Sequence, residues 1–460
     1  MAFGLTHQFL LLRWIPDTVA LTDSLLAWPL YAVLAATVAL LEAVAFAGMV
    51  TAHRRFKMPL PLAVAVPWVA LEWARANMGG YSFPWAGLAL GLAGFPEALV
   101  LAEWAGERGV AFWLACTGGL VALSLDRGGA PRTRLATLAG ALLLAGAPVV
   151  LGAWRNAQLV THDVARVAVV QPNVALALRR DRNQAVDTAL ARLSRLIPDV
   201  RARVDLLVAP EAVVPRPLDR DSALVRSLLE IADGVPMVLG AFSSDAHGRL
   251  YNAAWAIDER GLSPGPWEKV RLVPGWERTP GLGGGFLDPD GIMPGRGSGV
   301  LAAAGVDWGV LICFESLFGG LARMHVRRGA EAMLALTNDA WFNEGRTKGS
   351  SATHQHPAHL VIRAVETRKG IVRAANSGVS MVIAPTGAVE ARLPVHAAGV
   401  SVATVRSVAG TTVYVRLGGW VGTGSAIMIG LALLRVLATR RRRRAAIRLK
   451  NGARTDLGTT

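Results

Sequence analysis

Residues 135–154 contain no charged side chain, and residues 25–50 contain only one, Glu42. A third apolar stretch, 417–434, runs almost directly into the arginine cluster at 440–444. Each is about long enough to cross a hydrocarbon core of roughly 30 Å as a helix. Inside lipid the backbone has to satisfy its own hydrogen bonds, so such stretches have very few folds open to them. The sequence therefore predicts a membrane-embedded helical part.

Stretches 59–73 and 110–125 are shorter, more interrupted candidate spans. Two short basic loops, one with His53, Arg54, Arg55 and Lys57 and the other with Arg127, Arg132 and Arg134, are predicted to lie in the cytoplasm with the 440–444 cluster. Two spans must then join the first two loops. Residues 85–101 are placed at the outer interface, where Tyr81, Phe83 and Trp85 suit the headgroup level. Glu72 and Arg75 are read as solvated near that interface. The first twenty residues, weakly apolar around 9–12, are read as a poor span or a surface segment, with no cleavage site of a signal peptide. On this topology the water-facing middle of the chain lies outside the cytoplasm. The net charge of +15 is concentrated near the C-terminal span, where it reads as a cytoplasmic anchor. No motif for binding nucleic acid accompanies it.

From about 160 to 415 the pattern changes. Short β-rich runs at 167–170, 206–208, 237–239, 310–312 and 333–336 alternate with helical patterns at 182–196, 222–232, 317–328 and 358–367. That alternation predicts an α/β domain. The expected organisation is a helical membrane domain at 1–158, an α/β domain at 159–415, a closing membrane helix at 416–439 and a basic tail at 440–460.

Several strands run into unusual polar residues: Glu211 after 206–208, Cys313 and Glu315 after 310–312, and Asn338 and Asp339 after 333–336. Ligands of α/β sheets gather at such strand ends, although ordinary strand-end polarity fits the pattern equally well. The chain has two cysteines, Cys116 and Cys313. One falls in an apolar run and the other in the α/β region, so no disulfide framework is expected. His354, His356 and His359 cluster without the carboxylates a metal site would add, and no metal or cofactor is expected. The Gly-rich stretch 281–299 reads as a loop gating the site or as a plain linker.

The segments Val170-Gln171-Pro172-Asn173, Ala209-Pro210-Glu211, Trp267-Glu268-Lys269-Val270-Arg271-Leu272-Val273-Pro274, Ile312-Cys313-Phe314-Glu315 and Asn338-Asp339-Ala340-Trp341-Phe342 come in an ordered series. Gln355-His356, Arg363-Ala364-Val365-Glu366 and Asn376-Ser377-Gly378-Val379 continue it. This series resembles the nitrilase (carbon-nitrogen hydrolase) superfamily and, because helices flank the domain, its apolipoprotein N-acyltransferases. The resemblance implies an α-β-β-α sandwich beside the membrane helices, with Glu211, Lys269 and Cys313 as base, positive partner and nucleophile. It implies auxiliary roles for Glu277, Glu315 and the backbone N–H of Phe314, with Trp276 and Trp341 in contact with substrate. A membrane phospholipid is the implied acyl donor and a diacylated lipoprotein the acceptor, in the inner membrane with the catalytic domain on its outer side. Trp267, Trp276 and Phe314 depart from the usual family residues at their positions. Two other readings are a membrane-anchored amidase and an inactive scaffold. A transferase needs an apolar approach to the bilayer, for which Trp276, Phe286, Leu287, Trp341 and Phe342 are candidates.

Overall fold

Long apolar runs give helices at both ends of the chain, and short β-branched runs give sheets in the middle. A computed structural model describes residues 2–20, 25–85, 87–176, 181–278, 291–297, 299–343 and 349–455. Phe286, Leu287 and most of the Gly-rich stretch 281–299 lie outside the described residues. Helices Ala27–Phe56, Leu60–Ala76, Ala102–Ser124 and Pro131–Ala157 pack in sequence order, and the C-terminal helix Trp420–Thr455 lies against the second and third of these. Among the described residues, Ala27–Phe56, Pro131–Ala157 and Trp420–Arg442 are long and apolar enough to cross a membrane. Residues 88–99 form two 3-10 turns, Leu88–Leu92 and Pro96–Leu99.

The structure corrects three expectations in this region. Glu72 and Arg75 are buried, not solvated. Glu72 accepts hydrogen bonds from Trp68 Nε1 (2.9 Å), Leu88 N (2.8 Å) and Arg108 Nη1 (2.8 Å), so the neighbouring helix supplies what water would have. The first twenty residues are not a surface segment: Leu12, Trp14, Ile15 and Val19 are buried. Helix Ala2–Leu11 is anchored on Ala27–Phe56 through Gln8 Nε2, which donates to Glu42 (2.6 Å). Trp85, expected at the headgroup level, is buried and donates to Gln355 Oε1 (2.7 Å).

Among the described residues, the middle of the chain contributes thirteen strands. They are β1 (Thr161–Gln171), β2 (Leu206–Val208), β3 (Met237–Ser244), β4 (Leu250–Asp258), β5 (Gly261–Leu262), β6 (Trp267–Glu268), β7 (Leu301–Ala303), β8 (Val306–Ile312), β9 (Ala332–Thr337), β10 (Ile371–Ala375), β11 (Met381–Ile383), β12 (Val389–Arg392) and β13 (Gly399–Val408). One sheet has the order β13-β1-β2-β3-β4-β5, with β6 beside β4; the other runs β12-β11-β10-β9-β8-β7. Val167, Val169, Leu206 and Val208 of the first sheet meet Val310, Ile312, Leu334 and Val372 of the second in one apolar layer. Outside the first sheet, helices Arg182–Leu196 and Ser222–Ala232 bury Leu193, Leu224 and Leu228. Outside the second lie Gly319–Arg327 and Ser351–Thr367. This is the expected α-β-β-α sandwich. Parallel pairs β1–β2, β2–β3, β8–β9 and β9–β10 bring the carboxyl ends of β2, β8 and β9 to one side.

Helix Ser351–Thr367 begins well before the expected position 358, because Pro357 and three histidines mask its helical pattern. Nearly all of it is buried, since helix Ala102–Ser124 covers the face that water would otherwise reach. Buried charges stitch the two together. Arg363 pairs with Glu107 (2.7 Å) and Glu366 (3.2 Å), and Arg368 with Glu103 (2.9 Å). Removing one partner of such a pair strands the other in an apolar interior. Arg363→Ala is therefore expected to cost about 3–5 kcal/mol and to lower the thermal denaturation midpoint in detergent. Arg406→Ala, which breaks exposed pairs with Asp163 and Glu390, should cost at most about 1 kcal/mol.

Candidate active site

Glu211, Lys269 and Cys313 come from three different strand ends. Glu211 follows β2 and is buried; its Oε1 accepts from Lys269 Nζ (3.1 Å) and Asn252 Nδ2 (2.8 Å), its Oε2 from the backbone N–H of Asn338 (2.9 Å). Three donors on one carboxylate fix its rotamer. Gly240 makes the approach possible, since a Cβ there would lie 2.4 Å from Ala212 N and 2.5 Å from Glu211 Cα.

Lys269 follows β6 and is 1% exposed. Its Nζ also donates to Glu277 Oε1 (2.8 Å), whose other oxygen accepts from Val273 N (2.8 Å). Burial by itself would pull the ammonium pKa down, but the facing carboxylates of Glu211 and Glu277 hold it well above its ordinary value. Lys269 is therefore a fixed cation at every working pH.

Cys313 sits on the turn between β8 and the 3-10 helix Cys313–Leu317, with φ +52°. A non-glycine residue in this left-handed region is uncommon and costs conformational energy, so the surroundings must hold it. Two ties do so. Glu315 is buried, and its carboxylate accepts from Ile312 N (2.9 Å) on one side and from Val270 N (2.6 Å) and Arg271 N (3.1 Å) on the other. It thereby fastens the cysteine turn to the lysine loop. His356 Nε2 lies 3.1 Å from the Cys313 carbonyl oxygen, while His356 Nδ1 faces Asp339 Oδ1 at 3.0 Å. Asp339 is in turn held by Arg373 Nη2 at 2.7 Å.

Sequence reasoning found the segments that contain His356 and Asp339 but gave neither a role. It missed Asn252 and Arg373 altogether. Residues 252, 339, 356 and 373 share no spacing that would join them, and only the closure of two sheets does. Among the described residues, neither Glu277 nor Glu315 forms an ion pair with an arginine side chain. Among the described residues, no group of three metal-ligating side chains converges, and His356 is occupied by Asp339.

Burial and the negative charge of Glu211 push the Cys313 thiol pKa well up, with Lys269 opposing. At neutral pH the sulfur is a thiol next to a carboxylate, and attack requires the proton to leave with it. This floor opens into a cavity of about 330 Å³. Its walls are Trp14 and Ile15 from the N-terminal segment, Phe83 and Trp85 from the 81–85 loop, and Trp276, Trp341 and Phe342 from the α/β part. Trp14 packs at a tilt on Trp85 (centroids 4.8 Å apart) and edge-on to Phe342 (5.1 Å). A few polar groups at the bottom of an apolar chamber suit a long hydrocarbon with one reactive polar link.

Two outcomes test this geometry. Gly240→Ala should displace Glu211 and lower the reactivity of the Cys313 thiol by at least about tenfold, a loss of the size that small misplacements cause, while circular dichroism stays unchanged. Alkylation of Cys313 by iodoacetamide should keep accelerating as pH rises past about 9; a plateau near neutrality would mean a resting thiolate.

Residues 166–413 match the carbon-nitrogen hydrolase family, and residues 1–120 match the apolipoprotein N-acyltransferase N-terminal domain. A Gloeobacter violaceus apolipoprotein N-acyltransferase is 30% identical over 404 residues, covering 81% of this chain and 71% of that protein. The Geobacter metallireducens protein of the same name is 31% identical over 403 residues, covering 82% and 73%. Among solved structures, a variant of the Nesterenkonia AN1 amidase from the nitrilase superfamily overlies 56% of this chain and 95% of its own at 19% identity, with a TM-score of 0.40.

Proposed function

The chain belongs to the apolipoprotein N-acyltransferase family, within the carbon-nitrogen hydrolases, and from that premise we propose how its site works. It is a membrane protein that N-acylates lipoproteins, drawing the acyl chain from a membrane phospholipid. Glu211 accepts the thiol proton as Cys313 Sγ attacks the ester carbonyl. Lys269 and the backbone N–H of Phe314 stabilise the resulting oxyanion; removing one such donor costs about 10²–10³-fold in rate. When the tetrahedral adduct collapses, the carbon–oxygen bond breaks and the lysophospholipid leaves with the proton from Glu211. The acyl group remains on sulfur as a thioester. The α-amine of a diacylglyceryl-cysteine then attacks the thioester and gives its proton to Glu211. The carbon–sulfur bond breaks, and the departing sulfur takes the proton back.

The observation that carries this reading is the apolar chamber above a buried carboxylate and ammonium and a half-buried thiol. An enzyme for small polar amides has no use for eight aromatic walls. Glu277 positions Lys269, and Glu315 holds the cysteine turn to the lysine loop. The domain division follows: helices at 1–158 and 416–439 in the membrane, the unit at 159–415 on its extracytoplasmic face, and the 440–460 tail in the cytoplasm, as the basic loops favour.

The test is intact mass of the purified protein after incubation with phospholipid. A hydroxylamine-labile acyl adduct is expected, absent in Cys313→Ala and slowed by about 10²–10⁴-fold in Glu211→Gln, the range of a lost general base. Addition of a diacylated lipopeptide should clear the adduct and yield the N-acyl product. Clearance by water alone, with no lipopeptide acylation, would point to a hydrolase.

A further inference from the structure

A second cavity, of about 150 Å³, lies beside the first and shares one wall with it, Phe314. Gly79, Gly80 and Ser82 line it from the loop after helix Leu60–Ala76, and Arg271, Arg278 and Phe318 from the α/β part. Its charge is one-sided. The Arg271 guanidinium lies 5.3 Å from the Phe318 ring centroid, and Arg278 Nη1 is 3.0 Å from Met293 Sδ. Neither arginine has a carboxylate partner among the described residues. Ser82 is 2% exposed, and its Oγ has no hydrogen-bond partner among the described residues. Among the described residues, two arginines without carboxylate partners and a buried hydroxyl free to donate give this cavity a donor-rich lining. Guanidinium groups match the oxygens of a phosphate in pairs.

We propose that this cavity holds the phosphodiester of the phospholipid donor while the acyl ester lies at Cys313 on the other side of the Phe314 ring. The assignment rests on the acyl-transfer reading above, which supplies the lipid. The geometry separates the donor by polarity: chains in the aromatic chamber, anionic headgroup between Arg271 and Arg278. Arg271 is exposed, so the headgroup keeps contact with water. The loop 79–82 continues from helix Leu60–Ala76, which packs against the apolar helices Ala27–Phe56 and Trp420–Thr455, and on this assignment the cavity lies at the depth of lipid phosphates. A diacylglyceryl-cysteine acceptor carries no phosphate there, so the site favours the donor before the thioester forms.

The test uses full-length Cys313→Ala protein in neutral detergent, which binds without turnover. Affinity for phosphatidylglycerol is compared with that for diacylglycerol of the same chains by native mass spectrometry. At least about a tenfold preference for the phospholipid is expected, the factor of one charge-assisted hydrogen bond. Arg271→Gln with Arg278→Gln should abolish the preference while diacylglycerol still binds, and lysine at both positions should restore part of it. Persistence of the preference in the glutamine variant, or parallel loss of diacylglycerol binding, would overturn the proposal. Displacement of the lipid by millimolar inorganic phosphate would mark a site for free phosphate and overturn the headgroup assignment. If the preference holds but wild-type protein forms no Cys313 thioester, the acyl-transfer reading fails and the phosphate site stands.

Discussion

A lysine ammonium fully out of water between two carboxylates is the interaction on which this site depends. Lys269 could not stay charged at 1% exposure without Glu211 and Glu277, and neither carboxylate could be buried so close to the other without Lys269. Burial, reinforced by the net charge of minus one on these three groups, keeps the neighbouring Cys313 thiol protonated. Much of the rest of the α/β unit can be understood as holding these groups still. Asn252 and the Asn338 N–H complete Glu211, Val273 completes Glu277, and Glu315 ties the strand of Cys313 to the loop of Lys269. Buried charges tolerate little slack, because a pair pulled apart leaves two desolvated ions. Rigidity here is thus a condition of folding as much as of chemistry.

The second constraint is that the chamber above the site belongs to two parts of the chain. Trp14, Ile15, Phe83 and Trp85 come from the helical part, and Trp276, Trp341 and Phe342 from the sandwich. Thr18 Oγ1 donates to the Trp341 carbonyl at 3.2 Å, and Trp85 Nε1 to Gln355 at 2.7 Å, so the two walls are hydrogen-bonded to each other. The ion pairs of Arg363 and Arg368 fix the same two parts on the far side. The helix bundle and the sandwich thus share an apolar interface directly above the Cys313 thiol.

The sequence by itself determined the class of each part. Charge-free runs such as 135–154 leave a helix as the backbone's only economical form in lipid, and the alternation of 206–208, 237–239 and 310–312 with helical periods dictated an α/β unit. Helices Arg182–Leu196 and Ser222–Ala232 were readable to the residue because amphipathic periodicity and the Asp181 and Asp221 caps are local signals. Glu211 and Cys313 were legible as polar residues at strand ends, and Lys269 only through the motif series that carries the family resemblance. The tertiary structure decided everything that needs two distant segments at once. It buried Glu72, Arg75 and Trp85, which hydropathy had placed in solvent or at the headgroups, because a neighbouring helix or the catalytic floor takes the place of water there. It turned the N-terminal residues Trp14 and Ile15 into a cavity wall, and it joined Asp339, His356 and Arg373 behind the cysteine turn. No local pattern encodes such contacts. Hydropathy reports how costly a side chain is to bury, whereas its partner is chosen by the packing of elements hundreds of residues away.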